Sequence, residues 1–253
     1  MQSWIREPFS RLETYLFETV RLCDLSARGI YALKGQTILT ETLYGGEGPW
    51  SFKTEPDQRK RVIEESKQLA ELAKNEIDNG FPLLHAHAIV GIWGALEACI
   101  DDLLVSVLVH DADAREHEVF AKVRVSVTEL EGLDSEERMR LVLEEAKRLL
   151  RAEQRIGINT FEAILATVYL SGEVLEDTRK DMLELQQLRH VFVHRGGIAD
   201  RKLLGHCPWL NVTSGIRIML KRKDYERFAH AIINYATTVI QRVTKKYSGC
   251  EVP

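Results

Sequence analysis

Between Phe81 and Val109 the chain carries its longest apolar stretch, and the first twenty residues of it, FPLLHAHAIVGIWGALEACI, hold a single formal charge, Glu97. A run this long must either cross a membrane or be buried by the rest of the protein. Asp101 and Asp102 follow Glu97 near its middle and His85 and His87 lie near its start, all costly in hydrocarbon. Its apolar positions 84, 88, 92, 95, 96, 99, 103, 104, 107 and 108 recur at helical spacing. The segment therefore reads as the buried helix of a soluble helical bundle, with no membrane association.

Helical periodicity also governs the segments around it. Residues 8–28 form a first amphipathic helix, with Leu12, Leu16, Val20 and Cys23 on one side and Gly29 as its end. Residues 30–56 read as a connector, because Tyr44-Gly-Gly-Glu-Gly-Pro-Trp50 is turn chemistry. A charged helix over 57–79 stops at Asn79-Gly80, and Pro82 opens the apolar helix, so the two form a hairpin. Val119, Ala121, Val123, Val125 and Val127 alternate with Phe120, Lys122, Arg124 and Ser126, the period of a strand. Asp134 opens a charged helix to about Gln154, and Asn159 is placed to cap a short helix ending near Ser171-Gly172. Residues 173–195 form a strongly amphipathic helix closed by Gly196-Gly197, with a possible short strand at 215–220 and a last helix over 223–246. The expected fold is mainly α, an up-and-down bundle with one or two short accessory strands. Residues 1–56 are read as an N-terminal helix and connector on a main domain spanning 57–253.

Composition narrows the function classes. At 45% hydrophobic and 28% charged, the 253 residues belong with ordinary globular chains, and the formal charge of −4 excludes a global basic field. The charge is segregated, however. Residues 179–246 hold fourteen Lys/Arg against five Asp/Glu, a net +9, whereas residues 1–178 sum to −12. An anionic ligand could be held locally, although charged helix faces are commonly just solvated. Cys23, Cys99, Cys207 and Cys250 are scattered without a C-x-x-C pair, as expected of reduced thiols in a cytoplasmic protein. The N-terminus lacks a secretory pattern, so the chain is expected to start at Met1.

Most candidate chemistry fails on spacing. His85 and His87 point about 200° apart on a helix, and His110, Asp111, Asp113 and His117 match no zinc or calcium signature. No metal site and no cofactor are expected. Neither G-x-S-x-G nor G-x-x-x-x-G-K-[ST] occurs, and Cys207 beside His206 makes a poor nucleophile and base pair.

What remains is LRHVFVHRGG, with Arg189 and His194 at the end of a helix. Such a pair suits RNA cleavage without metal. An imidazole, ordinarily titrating near 6.5, exchanges protons with the ribose 2′-hydroxyl or the leaving 5′-oxygen, and a guanidinium stabilises charge on the phosphate. His190 and His194 share a helix face, whereas Arg189 and His194 lie about 140° apart, so their convergence needs a long arm, a distorted turn or a symmetry mate. Cations before a C-terminal glycine are also favoured by the helix dipole alone. Random order of 21 arginines and 8 histidines gives about 0.7 such spacings, and a second one, Arg201 to His206, is read as chance.

The long amphipathic helix ending in LRHVFVHRGGIAD resembles the signature segment of the HEPN superfamily, whose motif is Arg, a polar residue, a short spacer and His. Those roles fall on Arg189, His190 and His194. The helix LLHAHAIVGIWGALEACIDDLL is similar to the family's long helix with an embedded glutamate, here Glu97, and the helix from about 223 to its closing helix. The resemblance implies a HEPN-like bundle that homodimerises with two motifs lining one cleft. It further implies a metal-independent endoribonuclease of the toxin, abortive-infection or defence kind, with RNA as substrate and a possible antitoxin or regulatory protein as partner. In that reading His194 is the general acid/base, Arg189 binds the scissile phosphate and His190 is an auxiliary polar group. Glu97 either orients Arg189 or is a salt-bridged core-edge residue, and Arg195 either caps the helix or approaches the RNA phosphate. The competing expectation is a non-catalytic HEPN-like dimerisation module that binds a nucleotide, RNA or protein.

Overall fold

The computed structural model describes residues 2–45 and 51–247. In chain order its α-helices are α1 (Ser3–Lys34), α2 (Gln36–Tyr44), α3 (Pro56–Asp78), α4 (Pro82–His110), α5 (Glu118–Lys122), α6 (Val127–Leu130), α7 (Ser135–Leu150), α8 (Asn159–Leu165), α9 (Glu176–Arg195), α10 (Arg201–His206) and α11 (Arg222–Tyr247). The protein is a mainly α helical bundle, without a strand among the described residues. It divides into two units, one of residues 1–17, 89–218 and 226–253, the other of 18–88 and 219–225.

In the first unit the greater part of α4 is the central rod. Ile89, Ile92, Trp93, Leu96, Ile100, Leu103, Leu104 and Leu108 are all but inaccessible to solvent, as the apolar spacing requires. Each such side chain contributes about 1.5–3 kcal/mol on leaving water. The start of α1 runs antiparallel to α4, with Trp4 stacked on His110 at 4.8 Å and Arg11 bonded to Asp102 at 3.1 Å. Gly91 admits the Tyr15 ring where a Cβ would collide with its hydroxyl. From α7, Arg140 reaches Asp102 at 2.7 Å and Lys147 reaches Asp101 at 2.6 Å. The carboxylates that argued against a membrane span thus dock a neighbouring helix. α11 is tied at both ends, by Arg227 to Asp181 and the buried Glu184 of α9, and by Arg242 to Glu162 of α8 at 2.9 Å. Lys246 bonds Asp111 at 3.1 Å.

In the second unit α2 lies against α3, with Thr37 bonded to the Ser66 carbonyl at 3.3 Å and Lys67 paired with Glu41 at 3.2 Å. His85 is buried there with its Nδ1 unpartnered among the described residues and its ring against Tyr225. Burial, assisted by Arg222, lowers its pKa against the opposing pull of the Leu220 and Gly80 carbonyls and Glu76. The unfolded chain then holds more protons than the native one below about pH 6.5, so stability falls as pH drops through that value. Urea unfolding of His85→Gln is expected to show a shallower loss between pH 7 and 5 than the wild type. Equal slopes would remove His85 as the cause.

Several expectations need correction. α1 continues through Gly29 to Lys34, because Gly29 lies on an open helix face where only its modest intrinsic cost applies. Part of the 30–56 connector is helical, as α2, while the turn read at Tyr44–Trp50 lies largely outside the described residues at 46–50, as does Cys250. The strand over 119–127 is absent. His117 Nδ1 accepts the Val119 amide to start α5, and a Ser126/Glu129 capping box starts α6, leaving only 123–126 extended. Val119 and Phe120 are both buried while Val127 is 76% exposed, a pattern that pairing on alternate faces would not give. Local caps prevailed because no partner strand lies alongside among the described residues. The strand at 215–220 reduces to one antiparallel bridge between Ile198 and Arg217. Asn159 does not cap α8. Ile158 occupies that position, and the Asn159 side chain accepts a bond from Arg179 at 3.3 Å.

Candidate functional site

The rotation of α9 about its axis is set by Met182, Leu185, Leu188 and Val191, which are buried and recur every three residues. With that face inward, Arg189 and His190 become half-buried and Val193, His194 and Arg195 exposed. The helix closes on glycine. Gly196 (φ +58°) and Gly197 (φ +82°) are left-handed, and the Gly197 amide reaches back to the Val191 carbonyl at 3.2 Å. This Schellman-type closure satisfies an end carbonyl with backbone, so the side chains of His194 and Arg195 are not used as caps. The chain then pairs with 215–218 through Ala199 N–H to the Ile216 carbonyl (2.9 Å) and Ile218 N–H to the Gly197 carbonyl (2.8 Å). Asp200 caps α10 by accepting the Leu203 amide at 2.8 Å.

Glycine is required at position 197. A Cβ there would sit 2.8 Å from the Phe192 ring, whereas one on Gly196 meets nothing within 4 Å. Both φ values cost an L-residue about 1–2 kcal/mol. Urea unfolding is expected to show Gly197→Ala as the more destabilising of the two alanine substitutions, and equal losses would mean that the Phe192 ring simply moves aside.

The candidate residues meet in two contacts. The Arg189 guanidinium faces Glu97 of α4 at 3.8 Å, an ion pair beyond hydrogen-bond length, and the buried Arg189 Nε–H has no partner among the described residues. The His190 and His194 rings lie 4.8 Å apart, centroid to centroid, with planes at 50°. No hydrogen bond, ion pair or ring contact joins Arg189 to His194 among the described residues. Regular helix geometry through Arg195 keeps them on different faces, as the spacing indicates. Arg195 pairs through Nε with Asp200 at 3.4 Å. Burial lowers the His190 pKa, with Lys202, His194 and Arg189 acting in the same direction and Asp200 against them.

Asp200 and Lys202 are neighbours of the candidate residues that sequence reasoning missed. Their signal was the N-cap pattern Asp-Arg-Lys-Leu at 200–203, which starts the unforeseen helix α10. The second Arg-x4-His match lies on that helix, where His206 Nδ1 bonds the Gln187 side chain at 2.8 Å. Beside it, burial pushes the Cys207 thiol up to about 12, which leaves no thiolate at neutral pH. The other candidates have structural partners: His110 stacks on Trp4, Asp111 accepts from Lys246 and Tyr247, and His117 caps α5. Among the described residues no group of three or more His, Cys, Asp or Glu side chains is placed to hold a metal ion. No helix among them is long and apolar enough to cross a membrane. In comparisons with known proteins, no family model, curated protein or solved structure matches the chain.

Chemically, the end of α9 offers a guanidinium with unused donors, two imidazoles in contact and the flanking cation Lys202, with Glu97 and Asp200 as counter-ions. Groups of these types are the ones that can hold a phosphate group and move protons beside it.

Proposed function

We propose that the protein is a metal-independent endoribonuclease of HEPN type, acting in the cytoplasm as a homodimer, of the kind that serves toxin or defence systems under the control of a partner protein. The observation carrying this reading is Arg189, whose pair with Glu97 is loose and whose buried Nε–H has no partner among the described residues, next in sequence to the first of two imidazoles in contact. A scissile phosphate would meet the solvent-facing end of the part-exposed guanidinium, with Arg189 stabilising its charge and His194 serving as acid/base. The products are a 2′,3′-cyclic phosphate and a 5′-hydroxyl. Arg195 approaches the phosphate only on leaving Asp200, and Glu97 orients Arg189. Likeness of the 189–197 segment to the HEPN signature and the +9 balance of residues 179–246 support the reading.

One observation favours a second reading. The Arg189–Glu97 and Arg195–Asp200 pairs hold both arginines within the chain, as a non-catalytic module binding through the same surface would. Cleavage of end-labelled mixed RNA by purified protein in excess EDTA separates the two. Cyclic-phosphate ends support the ribonuclease, and RNA that is bound but left intact supports the module.

A further inference from the structure

His190 occupies a position whose chemistry exceeds an auxiliary polar role. Its ring touches that of His194 on the same helix face, one turn away, so both imidazoles belong to one protomer. With centroids 4.8 Å apart and planes inclined at 50°, the two rings are near enough to act on one phosphodiester. The groups facing His190 are Arg189 and His194 on α9, Asp200 in the turn that follows, and Lys202 on α10. Three of these four are cationic or can become so.

Building on the ribonuclease reading above, we propose that His190 and His194 of the same protomer are a general base and general acid pair, His190 deprotonating the nucleophile and His194 protonating the leaving group. Two touching imidazoles amid fixed cations do not both charge readily, so the pair holds one proton before it holds two. His190 is half-buried and His194 exposed, and that burial, with the flanking Lys202 and Arg189, disfavours the proton on His190. A neutral base and a charged acid side by side are the starting state that transesterification needs. His190 accepts the 2′-hydroxyl proton as the 2′-oxygen bonds to phosphorus. The bond from phosphorus to the 5′-oxygen breaks, and His194 delivers its proton to that oxygen. The enzyme is left with a protonated His190 and a neutral His194, and proton exchange with water restores the starting state. No oxidant, reductant or metal enters the balance.

Three measurements on the full-length protein test the assignment. The pH–rate profile of RNA cleavage in EDTA is expected to be bell-shaped. His190→Asn should lose the limb that rises with pH and retain a rate about 10²–10⁴-fold lower. A His190→Asn or His190→Gln protein that keeps the wild-type bell and rate overturns the proposal. Mixing His190→Asn with His194→Asn protein under subunit exchange should restore nothing, because each protomer lacks one member of the pair, and recovery toward a quarter of wild-type activity would place the pair across a dimer axis and overturn it. The third measurement depends on no variant's folding. In a proton NMR titration of the wild-type histidines, with inorganic phosphate as the added anion, His190 should titrate below the ordinary histidine range near 6.5, and titration at or above that range overturns the assignment. A wild-type protein that cleaves no RNA overturns the ribonuclease reading itself and this proposal with it, whereas cleavage with an unchanged His190→Asn profile overturns this proposal alone.

Discussion

His194→Ala is expected to lower RNA cleavage in excess EDTA about 10²–10⁴-fold, the range for loss of a positioned acid/base group. Arg189→Ala is expected to cost about 10²–10³-fold, as loss of a charge-stabilising donor does. Neither change should unfold the protein. His194 is exposed, and Glu97, which loses its partner in Arg189→Ala, has a side chain 41% exposed and can hydrate. The stability change for each should stay within about 1 kcal/mol. Unfolding curves recorded beside the kinetics would establish that. Cleavage undiminished in both variants would assign the activity to another site or a contaminant.

The largest expected loss of stability belongs to Glu162→Ala. The Glu162 carboxylate accepts from the Tyr235 hydroxyl at 2.8 Å, Arg242 at 2.9 Å and the Gly172 amide at 2.9 Å. Arg242 also bonds the carbonyls of Leu170 and Glu173, so this carboxylate joins α8, the loop before α9, and α11. Its removal strands the buried Tyr235 hydroxyl and a largely buried guanidinium, at a cost of about 3–5 kcal/mol. In a domain of this size that lowers Tm by about 6–20 °C. A double substitution, Glu162→Leu with Arg242→Met, should recover part of the loss by leaving no unpaired charge. Circular dichroism melts would measure both, and a drop of under about 2 °C for Glu162→Ala would mean that water replaces the carboxylate.

The parts of the fold that could be read from sequence are those set by long periodic segments. The stripe at 92, 96, 103, 104 and 108 specified α4, and Met182, Leu185 and Leu188 oriented α9, because a long apolar face has few ways to be buried, although Val191 rather than Phe192 completes that face. The 119–127 segment misled because alternating valines carry a strand only where a neighbouring strand offers hydrogen bonds, which depends on distant chain. Gly29 misled because an exposed helical glycine costs less than ending a 32-residue helix already docked by its first turns. At the site, the contact of His190 with His194 followed from their four-residue spacing. The Arg189–Glu97 approach needed the packing of α4 on α9. Asp200 and Lys202 stayed hidden because a six-residue helix leaves almost no periodic signal.

The glycine closure of α9 also bears on the thermodynamics of ligand capture. The backbone beneath the exposed side chains is fastened on both sides by the Val191–Gly197 bond and the pairing of 197–199 with 215–218. Those amides should exchange slowly with deuterated solvent although the side chains above them face water. The ordering entropy of this frame is therefore spent during folding, before any anion arrives. What remains to be lost on binding is the rotamer freedom of a few side chains, about 0.5–1.5 kcal/mol each. A surface so prearranged can hold a small phosphate-bearing ligand with few contacts, and its affinity should respond more to ionic strength than to ligand size.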